Sequence, residues 1–378
     1  MKISLRSSLL TILCLAVAAV SGSAQGTGKA RERTELTDLA GRKVVVPVPV
    51  NKVVLASARH LHEFAAVAGD SFLDRIAGWG PDLKLYDQDT YDAYLKQFPR
   101  IAEIPEVGYH YQGTFSVEKV ISLKPDVVIF PLWLEGNEAV SSDITLLEKA
   151  GIPSIFLDYW KDPFGHPEPS TRLLGVLLGR EERAEEIVTY YRRQVDLVAD
   201  RLQTIGEKDK PSVYIEVGSK GATEYGNTYG NTGWGAVVSV SGGKNIAEGI
   251  VETSGPLSPE YLLKVNPDKI IITGSYWPGV EDSMRLGYHA TREQAQELLR
   301  SFTERPGWKG LKAVQEKEVY GIFHGFSFRI YNFAGIQAFA KWFYPGLFAD
   351  VDPLENLRYF HSRFVPVEFS GTWMLRLE

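Results

Sequence analysis

Two kinds of segment alternate along most of the chain. Short apolar runs typical of buried strands are each followed by a stretch with helical spacing, which is the pattern of parallel βαβ units. The apolar runs lie at residues 53–56, 127–130, 154–157, 213–217, 269–272 and 319–322. Residues 34–50 instead alternate polar and apolar positions around a turn at Gly41, which predicts an edge hairpin. The pattern as a whole predicts an α/β fold with parallel sheets.

One long segment interrupts this alternation. Residues 181–205 contain no glycine or proline, and apolar side chains recur at helical spacing from Ile187 to Leu202. Such a segment predicts a single helix about 37 Å long, which Gly206 ends. Because strands and helices alternate both before and after it, this helix is expected to join two α/β halves.

The two halves share an internal repeat. SVEKVISLKPDVVIF at residues 116–130 is echoed by SPEYLLKVNPDKIII at residues 258–272. In each copy a serine is suited to cap a helix, and Pro-Asp ends the helix before a buried strand. Glu118 and Glu260 fall in the first helical turn, where the helix dipole favours a carboxylate. From the residues alone, both glutamates are simply helix-end charges.

The first 24 residues have the features of a secretory signal peptide. Lys2 and Arg6 precede an apolar run at residues 9–20, and small residues end the segment at Ala24. The run is shorter than the roughly 20 residues that span a bilayer, although an uncleaved anchor is the alternative. We therefore expect export to the periplasm. The only cysteine is Cys14, in a poor lipoprotein context, so the processed chain would have no thiol.

The charge of the chain argues against nucleic acid as a partner. The net charge is −6, from 41 basic and 47 acidic residues, and removal of the leader would take away two of the basic residues. Nucleic-acid binding depends on basic surfaces, which such a composition does not favour. The 44% hydrophobic content is that of an ordinary globular protein with substantial cores.

Several short motifs, taken in order, resemble the class III periplasmic substrate-binding proteins of ABC importers for iron–siderophores, haem and cobalamin. They are TDLAGRKV at 37–44, KVVLA at 52–56, EKVISLKPDVVI at 118–129, LLGVLLGR at 173–180, GGKNIA at 242–247 and NPD at 266–268. The resemblance implies two Rossmann-like lobes joined by a single long α-helix, with a ligand cleft between them. The expected segments are a signal peptide at 1–24, an N-terminal lobe at 30–165, a connecting segment at 166–206 and a C-terminal lobe at 207–378.

The resemblance also implies a membrane partner. Members of this family carry one surface glutamate on each lobe, which pairs with arginines of an ABC permease. Glu118 and Glu260 occupy the matching positions. The resemblance thus turns two helix-end charges into predicted docking residues. It further implies an indirect partnership with the ATPase through the permease, and we expect the protein to be a monomer.

The candidate ligand contacts lie in loops that follow the predicted strands. In open α/β folds, ligands bind outside the carboxyl ends of the strands, and these loops are rich in aromatic, His and Arg side chains. The candidates are His60, Tyr109, His110, Tyr111, Trp133, Tyr159, Trp160, Tyr225, Trp234, Tyr276, Trp277, His324 and Arg329. Trp133 and Trp234 could equally be core residues. A buried Arg329 would need either a protein carboxylate or an anionic ligand as its partner.

Four ligand chemistries fit these candidates, and we favour an iron(III)–siderophore. Aromatic faces suit its organic shell, and Arg or His suits its anionic oxygens. Haem with an axial Tyr or His is an alternative, as is a bare metal ion bound by His60, His62, His110 and His324. A corrinoid is the fourth, since Tyr111-Gln112-Gly113 is similar to a segment of cobalamin-binding family members. No resident cofactor is expected, because iron(III) enters as part of the transported ligand.

The sequence lacks the common signatures of an enzyme. It has no G-x-S-x-G elbow, phosphate-binding Walker loop or H-E-x-x-H motif, so a secreted hydrolase or dehydrogenase is the less favoured class. An adhesive surface protein would not need His- and Arg-bearing cleft loops. The remaining histidines, His166, His289 and His361, are expected at the surface. We predict a periplasmic solute-binding protein without catalytic activity.

Overall fold

A computed structural model of the protein describes residues 31–378. The predicted signal peptide at 1–24 lies outside the described residues, and so does the predicted start of the N-terminal lobe at residue 30. Across residues 31–378, no helix is both long enough and apolar enough to cross a membrane.

The first half, called the N-lobe below, is built around a four-stranded parallel sheet. A hairpin of β1 (Glu32–Thr37) and β2 (Lys43–Val48) precedes it, as the alternating pattern predicted. The sheet strands are β3 (Val53–Leu55), β4 (Ile76–Trp79), β5 (Val127–Pro131) and β6 (Ser154–Leu157), in the spatial order β4-β3-β5-β6. The helices are α1 (Leu61–Ala68), α2 (Phe72–Arg75), α3 (Asp82–Tyr86), α4 (Gln88–Gln97), α5 (Val117–Leu123), α6 (Glu138–Lys149) and α7 (Pro167–Leu178).

Both faces of this sheet are buried, which explains the continuous apolar runs. Val127 and Ile129 join one hydrophobic cluster, whereas Val128 and Phe130, one position along, join another on the opposite face. A strand that is covered on both sides needs apolar residues at every position.

The second half, called the C-lobe, contains a five-stranded sheet in the order β13-β12-β11-β7-β9. All of its pairings are parallel except that of β13 with β12. Its strands are β7 (Ser212–Val217), β9 (Lys244–Asn245), β11 (Lys269–Gly274), β12 (Val319–Phe323) and β13 (Met374–Arg376), and β8 (Asn227–Tyr229) pairs separately with β10 (Ser254–Pro256). Its helices are α9 (Gly233–Val240), α10 (Pro259–Val265), α11 (Arg292–Thr303), α12 (Lys312–Gln315), α13 (Phe333–Phe343) and α14 (Pro353–Phe364).

A single long helix, α8 (Glu181–Leu202), connects the two halves, which confirms the predicted two-lobe α/β class. It ends at Leu202, three residues before the predicted residue 205. It packs against α7 and α13, and Gln337 of α13 donates to the Gln194 side chain at 2.9 Å. Helix α14 was not predicted from the sequence, although Asp352 caps it and Pro353 begins it, both ordinary start signals.

The repeated segments form matching helices in the two lobes. Ser116 caps α5 by accepting from the Lys119 amide at 3.2 Å, and Ser258 caps α10 by accepting from the Tyr261 amide at 3.3 Å. Each helix ends at a residue in the left-handed conformation. The predicted serine caps are therefore confirmed.

The repeated Pro-Asp has a second structural task. Asp126 accepts from the amide of Asn51 at 2.7 Å, where the chain enters β3. Asp268 likewise accepts from the amide of Ser212, the first residue of β7, at 2.8 Å. In both lobes the aspartate after the helix therefore ties the start of the neighbouring strand.

Candidate ligand-binding cleft

A cavity of about 310 Å³ lies between residues of the two lobes, where strands of both sheets end. This location matches the rule that ligands of open α/β sheets bind beyond the carboxyl ends of the strands. The N-lobe lines it with Arg59, Tyr86 and Tyr109, and the C-lobe with Val217, Ser219, Lys220, Asn227, Tyr229, Trp277, His324 and Phe328.

Arg59 is the fixed positive charge of this cavity. It lies in a tight turn directly after β3, and its Nε donates to Oδ2 of Asp82 at 3.0 Å. Asp82 is fully buried and also accepts from the Ser57 hydroxyl and the Ala58 amide. Nη2 of Arg59 donates to the Tyr109 hydroxyl at 3.2 Å. The guanidinium is thus held in place before any ligand arrives.

Aromatic rings surround the Arg59 guanidinium. Its central carbon lies 5.3 Å from the centroid of the Tyr86 ring, 5.2 Å from that of Trp133 and 4.9 Å from that of Phe328. Rings at this distance attract a cation through their electron-rich faces. Because Phe328 belongs to the C-lobe, this cluster joins the two lobes at the cavity.

The C-lobe wall near this charge contains a neutral imidazole. Nδ1 of His324 lies 2.9 Å from the Thr273 hydroxyl, and the ring packs against Trp277 with centroids 5.7 Å apart. Burial lowers the pKa of His324 to about 3, with further lowering by the positive charges of Arg59 and Arg329. Burial also raises the pKa of Tyr109. The wall therefore offers neutral imidazole and phenol groups around one arginine.

Some predicted contacts do come together at this cavity. Tyr109, Trp277 and His324 line it directly. Trp133 lies under Arg59, and Trp160 stacks on Phe328 with centroids 5.9 Å apart and planes within 5°. The structure therefore brings five of the candidates to one aromatic cluster.

Tyr111 and Tyr276 lie outside the cavity lining. Tyr111 is 64% exposed, and its ring centroid is 5.5 Å from that of Tyr109. Tyr276 lies under the guanidinium of Arg285, whose central carbon is 3.9 Å from the ring centroid. Neither side chain contacts the cavity in this structure.

Two candidates of the N-lobe are buried in the interior beside the aromatic cluster of the cavity. His60 is buried between the rings of Trp133 and Tyr159, and its ring nitrogens have no hydrogen-bond partner among the described residues. Tyr159 is also buried, with its hydroxyl 3.2 Å from that of Thr171. Both side chains pack in the interior, so the structure does not place them at the ligand.

His110 also has a structural role instead of a position in the cavity. Its Nε2 lies 3.1 Å from Oδ2 of Asp143 in α6, and its ring stacks on Phe115 at a centroid distance of 4.0 Å. These contacts fasten the 109–115 loop to the rest of the N-lobe.

Two aromatic candidates of the C-lobe likewise point away from the cavity. Trp234 is buried in the core, where its ring packs on Phe339. The Tyr225 hydroxyl accepts from the Trp308 indole at 2.7 Å, and the Tyr225 ring covers Arg305. Both rings therefore pack with the hydrophobic core of the C-lobe.

The buried Arg329 forms an ion pair with a carboxylate of the protein, Asp87. It is almost fully buried, and its Nη2 lies 3.1 Å from Oδ2 of Asp87 in the N-lobe. Of the two alternatives that the sequence left open for Arg329, the structure therefore shows a carboxylate of the protein itself.

His361, which was expected at the surface, is instead buried, with Nε2 3.1 Å from the Tyr288 hydroxyl.

Sequence reasoning did not select several cavity residues, most importantly Arg59. An arginine directly after a buried strand was the available signal, but Asp82, which holds it, comes 23 positions later. Tyr86 ends helix α3, and Lys220 and Phe328 end short turns, none of which carries a recognisable motif. Within residues 31–378, no group of three or more His, Cys, Asp or Glu side chains could hold a metal ion.

The two predicted docking glutamates are both exposed, each in the first turn of its helix. Glu118 belongs to α5 of the N-lobe and Glu260 to α10 of the C-lobe. Oε2 of Glu260 accepts from the Ser258 hydroxyl at 2.6 Å, and this hydrogen bond lowers the Glu260 pKa. Each lobe thus presents one carboxylate to solvent at a matching position.

Two α/β lobes joined by one long helix, with a cavity at the strand ends, define a bilobal substrate-binding protein. The chain belongs to the periplasmic binding protein family, whose family model matches residues 67–323. It is of the class III, TroA-like kind, as the sequence motifs predicted.

Among solved structures, the TroA-like periplasmic binding protein FepB from Veillonella parvula is 38% identical, with a TM-score of 0.86. That similarity covers 91% of this chain and 99% of the other. The ABC transporter substrate-binding lipoprotein YvrC of Bacillus subtilis is 24% identical over 84% of this chain and 90% of its own length. A cobalamin-binding protein of Halobacterium salinarum is 30% identical over 162 residues, which are 42% of this chain and 40% of that protein. The protein is therefore a substrate-binding component of an ABC transporter.

Proposed function

We propose that the protein captures a ferric iron–siderophore complex in the periplasm and delivers it to a membrane permease, without catalysing a reaction. The observation that supports this ligand class is the Arg59 guanidinium, fixed by Asp82 and surrounded by aromatic rings at the cavity. Ferric chelates combine anionic oxygens with a bulky organic shell. An arginine can donate to the oxygens, while ring faces pack against the shell. Iron(III) is here cargo, and the protein needs no cofactor of its own.

A corrinoid is the second candidate, because one relative that matches part of the chain is a cobalamin-binding protein. The cavity offers Tyr86, Tyr109, Tyr229 and Trp277 as packing surfaces for a large macrocycle. The charge of Arg59 distinguishes the two candidates, since a corrinoid makes less use of a guanidinium than an anionic chelate does.

Ligand titration tests the proposed function. Tryptophan fluorescence of the purified protein should be quenched at micromolar concentrations by a ferric trihydroxamate or a ferric tricatecholate. Arg59→Met should weaken binding of the ferric tricatecholate at least about tenfold, because a hydrogen bond to a charged group contributes about 1.5–3 kcal/mol. Arg292→Met is the matched control, since Arg292 forms an exposed ion pair with Glu378 and does not line the cavity.

Cyanocobalamin, haemin and Ni²⁺ complete the titration series. If one of these quenches the fluorescence at micromolar concentrations and neither ferric chelate does, the siderophore proposal is wrong. If Arg59→Met and Arg292→Met bind the ferric tricatecholate equally well, Arg59 has no part in ligand recognition.

We further propose that Glu118 and Glu260 dock the protein on its permease. The double variant Glu118→Arg/Glu260→Arg should abolish uptake of the bound chelate in cells while leaving its affinity in solution unchanged. Two charges on separate lobes can fix the orientation of a complex and accelerate its formation. Glu138→Arg/Glu293→Arg is the control, because these glutamates are also exposed in the first turns of helices, one in each lobe. Equal loss of uptake in both double variants would contradict a specific docking role.

A further inference from the structure

The cavity is adjoined by a buried contact between the lobes that does not belong to its lining. Arg329 directly follows the turn His324–Phe328, whose first and last residues line the cavity from the C-lobe. The Arg329 guanidinium extends to the N-lobe, where it donates to Oδ2 of Asp87 and to the carbonyl oxygen of Arg59. One side chain therefore connects the two walls of the cavity.

Both N-lobe partners of Arg329 are part of the cavity wall or next to it. Arg59 lines the cavity with its own side chain, so its backbone position decides where its guanidinium lies. Asp87 follows Tyr86, another lining residue, and caps α4 by accepting from the amide of Thr90 at 3.4 Å. It also accepts from the Thr90 hydroxyl at 2.7 Å. A shift of the Arg329 contact would accordingly move two ligand-facing residues relative to His324 and Phe328.

A second carboxylate strengthens this contact from the same side. Oε1 of Glu63 in α1 accepts from the amide of Ile330 at 3.0 Å. Two N-lobe carboxylates thus bind consecutive residues of one C-lobe segment. Because these side chains are buried, separating them would leave charges without partners, so the network favours one relative geometry of the lobes.

We infer that Arg329 and Asp87 form a latch between the lobes that sets the spacing of the cavity walls, so that Arg329 controls ligand affinity without touching the ligand. Arg329 is a positioning residue, since its side chain is only 1% exposed and its guanidinium is bound to protein atoms. The inference rests on the proposed function insofar as the cavity binds the ligand. The spacing of the lobes can be measured without any ligand.

Spin labels on both lobes test the latch directly. Labels at Glu148→Cys of α6 and Glu297→Cys of α11, both exposed, would report the distance between lobes in a chain that also carries Cys14→Ser. We expect a narrow distance distribution that broadens with Arg329→Lys and with Asp87→Asn. The latter retains the shape of the side chain and an oxygen that can cap α4. Arg292→Lys is the control, because Arg292 makes an exposed ion pair with Glu378 far in sequence from both latch residues.

Affinity is measured on the same variants with the ferric tricatecholate. Both latch variants should bind the ligand at least about tenfold more weakly, through faster dissociation. A loss of this size corresponds to the cost of ordering one or two side chains on binding. The inference would be overturned if the distance distribution stays narrow in both variants. It would also be overturned if the distribution broadens while the affinity stays that of the wild type. Failure of the unaltered protein to bind any ferric chelate would refute the proposed ligand class, and cyanocobalamin or haemin, whichever binds, then serves as the probe for the same comparison.

Discussion

Lowering the pH from 7 to 5 is expected to reduce the free energy of unfolding by several kcal/mol. The main cause is that burial lowers the pKa of His60, His62 and His361 in the interior and of His324 in the cavity wall. Burial lowers the pKa of His110 as well. For a domain whose total stability is usually about 5–15 kcal/mol, such a loss is large.

The sign follows from the direction of each pKa shift. Burial lowers the pKa of His60 to about 3 and that of His361 to about 4, and burial also lowers the pKa of His62. In the unfolded chain each imidazole takes up a proton near pH 6.5. Below that pH the unfolded state binds more protons than the folded state. The stability contributed by neutral burial is therefore complete above pH 6.5 and is lost progressively as the pH falls.

Two buried carboxyl groups act in the opposite direction, since burial also raises the pKa of Asp87. Burial raises the pKa of Glu63 to about 7, an effect that the nearby charge of Arg329 partly offsets. The folded state therefore holds this proton more tightly than the unfolded state, so Glu63 favours folding as the pH falls from 7 towards 4.5. Between pH 7 and pH 5, each of these four histidines costs about 2 kcal/mol and Glu63 returns about 2 kcal/mol, so the histidines prevail over the two carboxyl groups.

Urea unfolding at pH 8, 7, 6 and 5 measures this prediction. The variant His361→Gln retains a polar side chain but cannot titrate in this range. It should be less stable than the wild type at pH 7, yet lose about 2 kcal/mol less between pH 7 and pH 5. An urea midpoint that does not change between pH 7 and pH 5 in the wild type would contradict the buried neutral histidines.

The fold was predictable because its signals are local. In both lobes the repeated segment contains its own serine cap, its helix end and its buried strand. Each of these features depends on residues close together in the chain or on the requirement of a parallel sheet for apolar residues. Pattern analysis therefore recognised both α/β halves and the helix between them.

The cavity was less predictable because its geometry depends on distant partners. Several aromatic residues that follow strands lie in one cluster, yet Trp160 reaches it while the neighbouring Tyr159 is buried against His60. Which of two adjacent rings faces the cavity depends on the packing of a whole lobe. Similarly, the choice of Asp87 as the partner of Arg329 links positions 242 residues apart, and no spacing rule indicates it.

Replacing Arg305 with methionine is expected to reduce the free energy of unfolding by about 3–5 kcal/mol, the usual cost of leaving one member of a buried ion pair alone. Arg305 is almost fully buried in the C-lobe and binds both carboxylate oxygens of Glu216, at 2.7 and 2.9 Å. The fully buried Glu216 would keep its negative charge without the arginine that neutralises it, unless it took up a proton.

The same substitution should also loosen one wall of the cavity. Arg305 donates to the carbonyl oxygens of Gly221, Ala222 and Glu224, so it holds the loop that leads from Lys220 to β8. Ser219 and Lys220 line the cavity at the start of this loop, and Asn227 lines it at the end. Hydrogen exchange at residues 218–226 should therefore accelerate, because the backbone loses the donors that fix it.

The double variant Glu216→Gln/Arg305→Met separates charge burial from the loss of hydrogen bonds. In the wild type the Gly226 amide donates to Glu216 at 2.7 Å, and the side-chain oxygen of the introduced glutamine can still accept this hydrogen bond. The double variant therefore leaves no buried charge unpaired. Urea unfolding should consequently show the double variant to be more stable than Arg305→Met alone, because the buried charge is the larger cost. Arg300→Met, at an exposed position of α11, should change the stability by less than about 0.5 kcal/mol. If Arg305→Met unfolds at the same urea concentration as Arg300→Met, the Glu216–Arg305 pair does not hold the cavity wall.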